Sequence, residues 1–147
     1  MDALTTIFVL LVLYQTKHFG ADFLLQTDYM LKKFSPGWEF FWPLATHAGV
    51  HAGITFGIVF MTTGSLALSA HLGAFDFIMH FFMDRIKASP KWLGRYEMLS
   101  KTELQNATPA QKKSNSHFWM TLGFDQMVHH LTHYSIIWFV VTHMFSA

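Results

Sequence analysis

The sequence predicts an all-α, polytopic membrane protein: a four-helix transmembrane bundle with a polar cytoplasmic loop between the third and fourth helices. Three observations carry that expectation. Apolar residues make up 52% of the chain and charged residues only 13%, about half the usual share of a soluble domain, whose surface must face water. The apolar residues gather into segments near the ~20 residues that a helix needs to cross the hydrocarbon core of a bilayer. When four such spans are threaded through a membrane, all ten basic residues fall toward one side, which the positive-inside rule assigns to the cytoplasm.

The first span is expected over about Leu4–Tyr29, with a wholly apolar run from Ile7 to Leu13 and a polar C-terminal half. It lacks the basic leader and small-residue cleavage site of a signal peptide, so it reads as a retained helix. Lys32, Lys33, Ser35, Pro36 and Gly37 form a basic turn, because Pro and Gly stop helices and the charge resists burial. The second span is expected over about Phe40–Thr62, with Pro43 tolerated in its first turn. A Thr, Gly and Ser-rich hinge from Thr62 to Gly73 precedes the third, about Ala70–Ile86, which is short enough to lie partly in the interface. Residues 88–115 read as an exposed loop holding at most one short helix, and the fourth span as about Ser116–Met144. Trp38, Trp42, Trp92 and Trp119 cluster at the basic boundary, where amphipathic rings prefer to sit. Both termini are then expected on the non-cytoplasmic side of an inner membrane.

The 147 residues leave room for one domain. A net charge of +1 provides no basic field for nucleic acid. The chain has no cysteine, so any metal must be held by imidazole, carboxylate or water. Ten histidines are many for any class.

Those histidines recur with aspartates at helical spacing. The first span carries His18, Asp22 and Gln26 at i, i+4 and i+8, on one face. The second carries His47 and His51, the third His80 and Asp84, and the fourth Asp125, His129 and His133. A four-residue spacing lets two side chains of one helix reach a single ion. At ~1.5 Å of rise per residue, the four pairs lie roughly 5–19 Å in from the basic ends and overlap in height. An aspartate near mid-membrane costs roughly 2.5–3.5 kcal/mol unless it is paired or solvated. Asp22, Asp84 and Asp125 therefore call for compensation by imidazolium, lysine or a divalent cation.

Three readings fit this layer: a metal or proton-handling site, a purely structural polar network, and a haem pocket, which would need one or two histidines but not three aspartates. His71, His117 and His143 carry no histidine or aspartate four residues away and read as hydrogen-bonded core residues. His130 points about 100° away from His129, toward a neighbouring helix or the lipid boundary. Lys87 reads as a snorkelling interfacial lysine or as the partner of Asp84. The sixteen phenylalanines read as lipid-facing filler.

The run from Lys17 to Gln26 (KHFGADFLLQ), followed by His47-x3-His51, His80-x3-Asp84-x2-Lys87 and Asp125-Gln126-x2-His129, resembles the small bacterial and phage membrane proteins grouped as domain of unknown function 3307. The resemblance covers nearly the whole chain and brings no activity with it. Its pattern is loosely similar to membrane-embedded metal-dependent hydrolases, which also place His and Asp on transmembrane helices. The stretch from Ser89 to Asn115 looks like an insertion between the third and fourth motifs.

The expectation is thus a buried site of N/O ligands holding one or two divalent ions such as zinc, iron or manganese. Its ligands would be His18, Asp22, His47, His51, His80, Asp84, Asp125 and His129, with Gln26, Gln126 and His133 orienting them. Metal-assisted hydrolysis of a lipid or lipid-linked ester would follow, the ion lowering the pKa of water to about 7. Asp22, Asp125 and His129 are the expected catalytic residues, and membrane lipid, a second copy of the chain or another membrane protein the expected partners. The rival reading is a non-catalytic phage or bacterial scaffold. Ion or proton conduction is disfavoured because the far halves of the first two spans are almost wholly apolar.

Overall fold

A computed structural model of the chain describes residues 1–35, 37–88 and 99–145, and the regular elements among them are all helical. Helix α1 (Ala3–Phe19) begins at Asp2, whose carboxylate accepts the Thr5 N–H at 2.9 Å and so satisfies a donor left over at a helix start. The helix then widens into a π-helical turn over Gly20–Leu24, closed by the Leu25 N–H donating to the Gly20 carbonyl. It therefore stops short of the expected Tyr29. Thr27 caps a short α2 (Asp28–Leu31), which tightens to 3-10 geometry over Lys32–Phe34.

Helix α3 (Phe41–Thr63) ends at Gly64, whose φ of 67° is the left-handed conformation that favours glycine at a helix end. Helix α4 (Leu66–Ala88) follows almost at once, so the expected hinge from Thr62 to Gly73 shrinks to Gly64 and Ser65. The small polar residues do not break the helices because they satisfy themselves within them. Thr62, Thr63 and Ser69 each donate to a carbonyl one turn back. At 23 residues, α4 is long enough to span.

Helix α5 (Lys101–Asn106) is held by a capping box of Ser100 and Glu103. Thr108 and Gln111 make the equivalent exchange at the head of α6, each backbone N–H meeting the other's side chain at 2.8 and 3.3 Å. With Pro109 in its first position, α6 runs from Pro109 to Phe145, starting well before the expected Ser116. The polar segment before Ser116 is thus partly helical. Trp92, Lys91 and Arg95 lie outside the described residues.

Among the described residues three helices, not four, are long and apolar enough to cross a membrane: Ala3–Leu24, Phe41–Thr63 and Leu66–Ala88. Helix α6 is the longest of all but falls short in hydropathy. Its inward face is spent on Asn115, Thr121, Asp125, His129, Thr132 and His133, and its first turns carry Lys112 and Lys113.

Helices α3 and α4 form the most extensive pair, an antiparallel hairpin against which α6 and then α1 pack. Gly73 permits the close approach: a Cβ there would lie 3.2 Å from the Ala52 carbonyl oxygen and 3.5 Å from Phe56 Cβ. The interior is divided lengthwise. Toward the N-terminus of α1, Leu10, Tyr14, Val59, Leu72, Ile136, Ile137 and Val140 form an apolar core; toward the lysine-rich end the interior is polar. Large apolar side chains, among them Phe8, Leu13, Phe60, Met61 and Trp138, point outward and are exposed, an inside-out pattern suited to lipid. In such a solvent apolar burial hardly drives helix association, because lipid tails are as apolar as leucine. Polar contacts and close packing must then specify how the helices meet.

Candidate metal centre

Asp22 stands on the π-helical turn, and three imidazoles close on its carboxylate from two helices. His51 Nε2 lies 3.1 Å from Asp22 Oδ1, His47 Nε2 lies 3.3 Å from the same oxygen, and His18 Nε2 is 3.2 Å from Oδ2. π-Helical turns recur at functional sites. Beside it sits a second group: His129 Nε2 lies 3.2 Å from Asp125 Oδ1 and 3.7 Å from Asp84 Oδ1. His47 joins the two, since its Nε2 is also 3.2 Å from Asp84 Oδ2.

Lysines compensate three of the four carboxylates in the layer. Lys33 Nζ donates to Asp84 Oδ2 at 2.7 Å, Lys87 Nζ to Asp125 Oδ2 at 2.6 Å, and Lys17 Nζ to Asp76 Oδ2 at 2.6 Å. Two sequence expectations are corrected here. Lys33 is buried rather than held out in the turn, and Lys87 pairs with Asp125 on another helix rather than with Asp84 one turn back. Burial of Lys33 and partial burial of Lys87 are tolerated because each meets a carboxylate in the same low-dielectric space. Asp22 has no lysine within ion-pair distance among the described residues; its neighbours are imidazoles.

The deepest pair, Lys17 with Asp76, was missed in the sequence-based ligand set. Asp76 Oδ2 also accepts from the Thr55 hydroxyl at 2.6 Å. His80 presents Nδ1 to the Asp76 carbonyl at 3.1 Å and to Oδ1 at 3.0 Å, while its ring lies between those of His51 and His129, with centroids 3.8 and 4.1 Å away. His133 contacts Lys17 Nζ at 3.2 Å and the Tyr14 ring at 5.1 Å. His18 is central: five other imidazole rings, including His51, His80, His129 and His133, lie within about 6 Å of its own.

All eight residues expected as ligands are therefore brought into one layer. Gln126 is placed to orient them, accepting from His18 Nε2 at 3.0 Å through Oε1 and donating to Asp125 Oδ2 at 3.2 Å through Nε2. Gln26 lines a cavity at the mouth of the layer. His130, as expected, faces a neighbouring helix, where Gln15 Nε2 is 3.3 Å from its Nδ1.

Three sets of donors have ligand atoms within 4.8 Å of one another: His18, Asp22 and His51; Asp84, Asp125 and His129; and His18, His80 and His133. A tetrahedral ion with ligands at ~2.0–2.1 Å holds them roughly 3.3 Å apart, and the imidazole-to-carboxylate distances around Asp22 match that. Buried ring nitrogens also remain without a hydrogen-bond partner in the protein: Nδ1 of His18, His47, His51 and His129, and Nε2 of His80. Such atoms are uncommon in a folded interior. This set of imidazole and carboxylate donors could hold a divalent metal ion. The third set fits least well, because Lys17 already sits on His133 and would repel a cation.

A family model described as a protein of unknown function (DUF3307) matches residues 7–147. No curated protein and no solved structure matches the chain.

Proposed function

The chain belongs to the DUF3307 family, whose description assigns no activity, and from the site itself we propose a membrane-embedded, divalent-metal-dependent hydrolase acting on a lipid or lipid-linked ester. The observation that carries this reading is Asp22: a carboxylate with three imidazole nitrogens at 3.1–3.3 Å and, among the described residues, no ammonium partner. His18 and His51, whose ligand atoms lie within 4.8 Å of its own and of each other, would hold the ion with it, and His47 would tie Asp22 to Asp84. Asp84, Asp125 and His129 form the neighbouring group that can take a second ion or serve the first, with His80 packed between the two.

A bound divalent ion supplies Lewis acidity and brings the pKa of water to about 7. The chain's own residues do the rest. His129, held between Asp125 and Asp84, is placed to carry the proton released as water adds to the ester, and to return it to the departing alcohol. Lys33 and Lys87 fix the two aspartates through their Oδ2 atoms and leave Oδ1 facing His129. The apolar half of the bundle closes the far end, so substrate must enter at the lysine-rich end, the cytoplasmic side in this reading, with both termini opposite.

The test is elemental analysis of detergent-purified protein beside Asp22→Asn and His129→Ala variants. Zinc, iron or manganese near one or two per chain, falling in Asp22→Asn, supports the reading. A parent that remains metal-free in metal-supplemented medium overturns it. One observation favours a second reading, a structural polar layer in a non-catalytic scaffold: the three Lys–Asp pairs compensate most of the buried charge without an ion. That reading predicts intact assembly and no co-purifying metal.

A further inference from the structure

A cavity of about 140 Å³ opens at the lysine-rich end of the bundle, directly over the candidate metal centre. Its polar lining is Asp22, Asp84, Lys33, Lys87, Gln26 and Gln126, and its apolar lining Phe23, Phe34 and Leu122. Each ammonium carries three N–H donors, of which one is given to the paired aspartate. Both lysines therefore keep donors for a further acceptor, and Lys87, with 26% of its side chain exposed, can turn to meet one.

The charge around this cavity depends on the ion. With the imidazoles neutral, as metal ligands must be, Asp22, Asp84 and Asp125 against Lys33 and Lys87 leave one net negative charge, which would repel an anion. A divalent cation at Asp22 reverses the sign to one net positive charge, and the cavity then attracts one anionic group. Its volume equals the liquid share of about five waters at ~30 Å³ each, room for a phosphate group but not for a whole lipid. Outside the mouth the surface is apolar: Phe19 and Phe23 stack at 5.4 Å, and Phe23, Leu24, Leu25 and Phe34 are all exposed. A ligand with a compact anionic head and a hydrocarbon tail matches both halves.

We propose that this cavity binds a phosphate ester, the phosphate between Lys33 and Lys87 and the apolar part against Phe23 and Phe34. The inference rests on the metal reading and names the substrate class for it. Phosphate fits better than carboxylate because two ammonium groups and two carboxamides line one mouth, and a phosphate offers enough oxygens to engage them together.

The test uses full-length protein in phosphatidylcholine nanodiscs, loaded with zinc and measured with and without added phosphatidic acid; inorganic phosphate and glycerol 3-phosphate are the soluble arms. Native mass spectrometry reads bound phosphate ester and zinc in the same experiment. The expected result is retention of phosphatidic acid over phosphatidylcholine, weakened about tenfold or more in Lys87→Gln through loss of a charged hydrogen bond. Leu122→Trp, which fills the cavity without touching an ion pair, should weaken it similarly with zinc retained. Binding of glycerol 3-phosphate or inorganic phosphate equal to that of the lipid supports the phosphate site and assigns its source to a soluble ester. Zinc present with no preference for any phosphate, or a preference unchanged in both variants, overturns this inference alone. Zinc absent from the parent overturns the metal reading instead.

Discussion

Lys17, Asp76 and Lys33 help decide how this interior is charged, and the first two hide in plain sight in the sequence. Lys17 precedes His18 and falls within the basic count that sets orientation, so it reads as interfacial. Yet Thr6, Leu10, Tyr14 and Lys17 share the buried face of α1, spaced four, four and three residues apart as an inward stripe should be. Asp76 likewise precedes His80 by four residues on the buried face of α4. Those spacings were available; that the two residues meet at 2.6 Å was not, since they are far apart in sequence. Lys33 lies in an irregular segment with no periodicity to read, so its burial was not legible. Breaking the Lys17–Asp76 pair from one side strands a charge: Lys17→Met should destabilise the folded protein by about 3–5 kcal/mol. The double variant Lys17→Met with Asp76→Leu should recover most of that loss, as measured by thermal denaturation in detergent. Equal stability of the parent and the single variant would contradict the pairing.

Among the elements, the histidine and aspartate pairs were legible because a helix forces i and i+4 onto one face whatever else the chain does. Element boundaries were less so. Threonines and serines that look like hinge residues bond to their own helix, which is why α4 begins at Leu66 rather than near Ala70. The π-helical turn under Asp22 leaves no mark on the apolar pattern. The α3–α4 hairpin depends on Gly73, and Gly73→Ala should force the helices apart at the Ala52 carbonyl. A loss of about 1–3 kcal/mol, the usual cost of overpacking, should appear together with reduced metal content, because His47 and His51 move with α3. At α5, hydrogen bonds from the Ser100 hydroxyl and backbone N–H hold the exposed Glu103 carboxyl below its ordinary range. A depressed carboxylate stabilises above its unfolded pKa, and that contribution fades as pH falls through the folded one. Amide exchange in Lys101–Asn106 should therefore quicken on acidification, and Glu103→Gln should remove much of that pH dependence.

The whole molecule has the proportions of a membrane bundle in which α6 gives up apolar character to supply Asp125, His129 and His133. Composition alone made the helical class legible. It also led to an expectation of four spans, because a helix that faces lipid on one side and a polar layer on the other averages to an intermediate hydropathy. If α6 crosses the bilayer beside the other three, both termini lie on the same side. Maleimide labelling of single cysteines introduced at Thr5 and Thr142 in right-side-out and inverted vesicles checks this directly. Labelling of the two positions from opposite sides would leave α6 outside the bilayer.

The lengthwise division of the interior also has an electrical meaning. Leu10, Val59, Leu72 and Val140 seal one end, so in a bundle that spans the bilayer and binds metal as proposed, a doubly charged ion reaching Asp22 from the lysine-rich side would traverse only part of the membrane voltage drop. His51 lies ten residues into α3, about 15 Å along the ~30 Å hydrocarbon thickness. At 2.3 kcal/mol per charge per 100 mV across the full drop, half of it is worth about 2 kcal/mol for a divalent ion. An energised bilayer, negative on the lysine-rich side, would therefore draw such an ion back out of its seat, and occupancy would follow the energetic state of the membrane as well as the supply of metal.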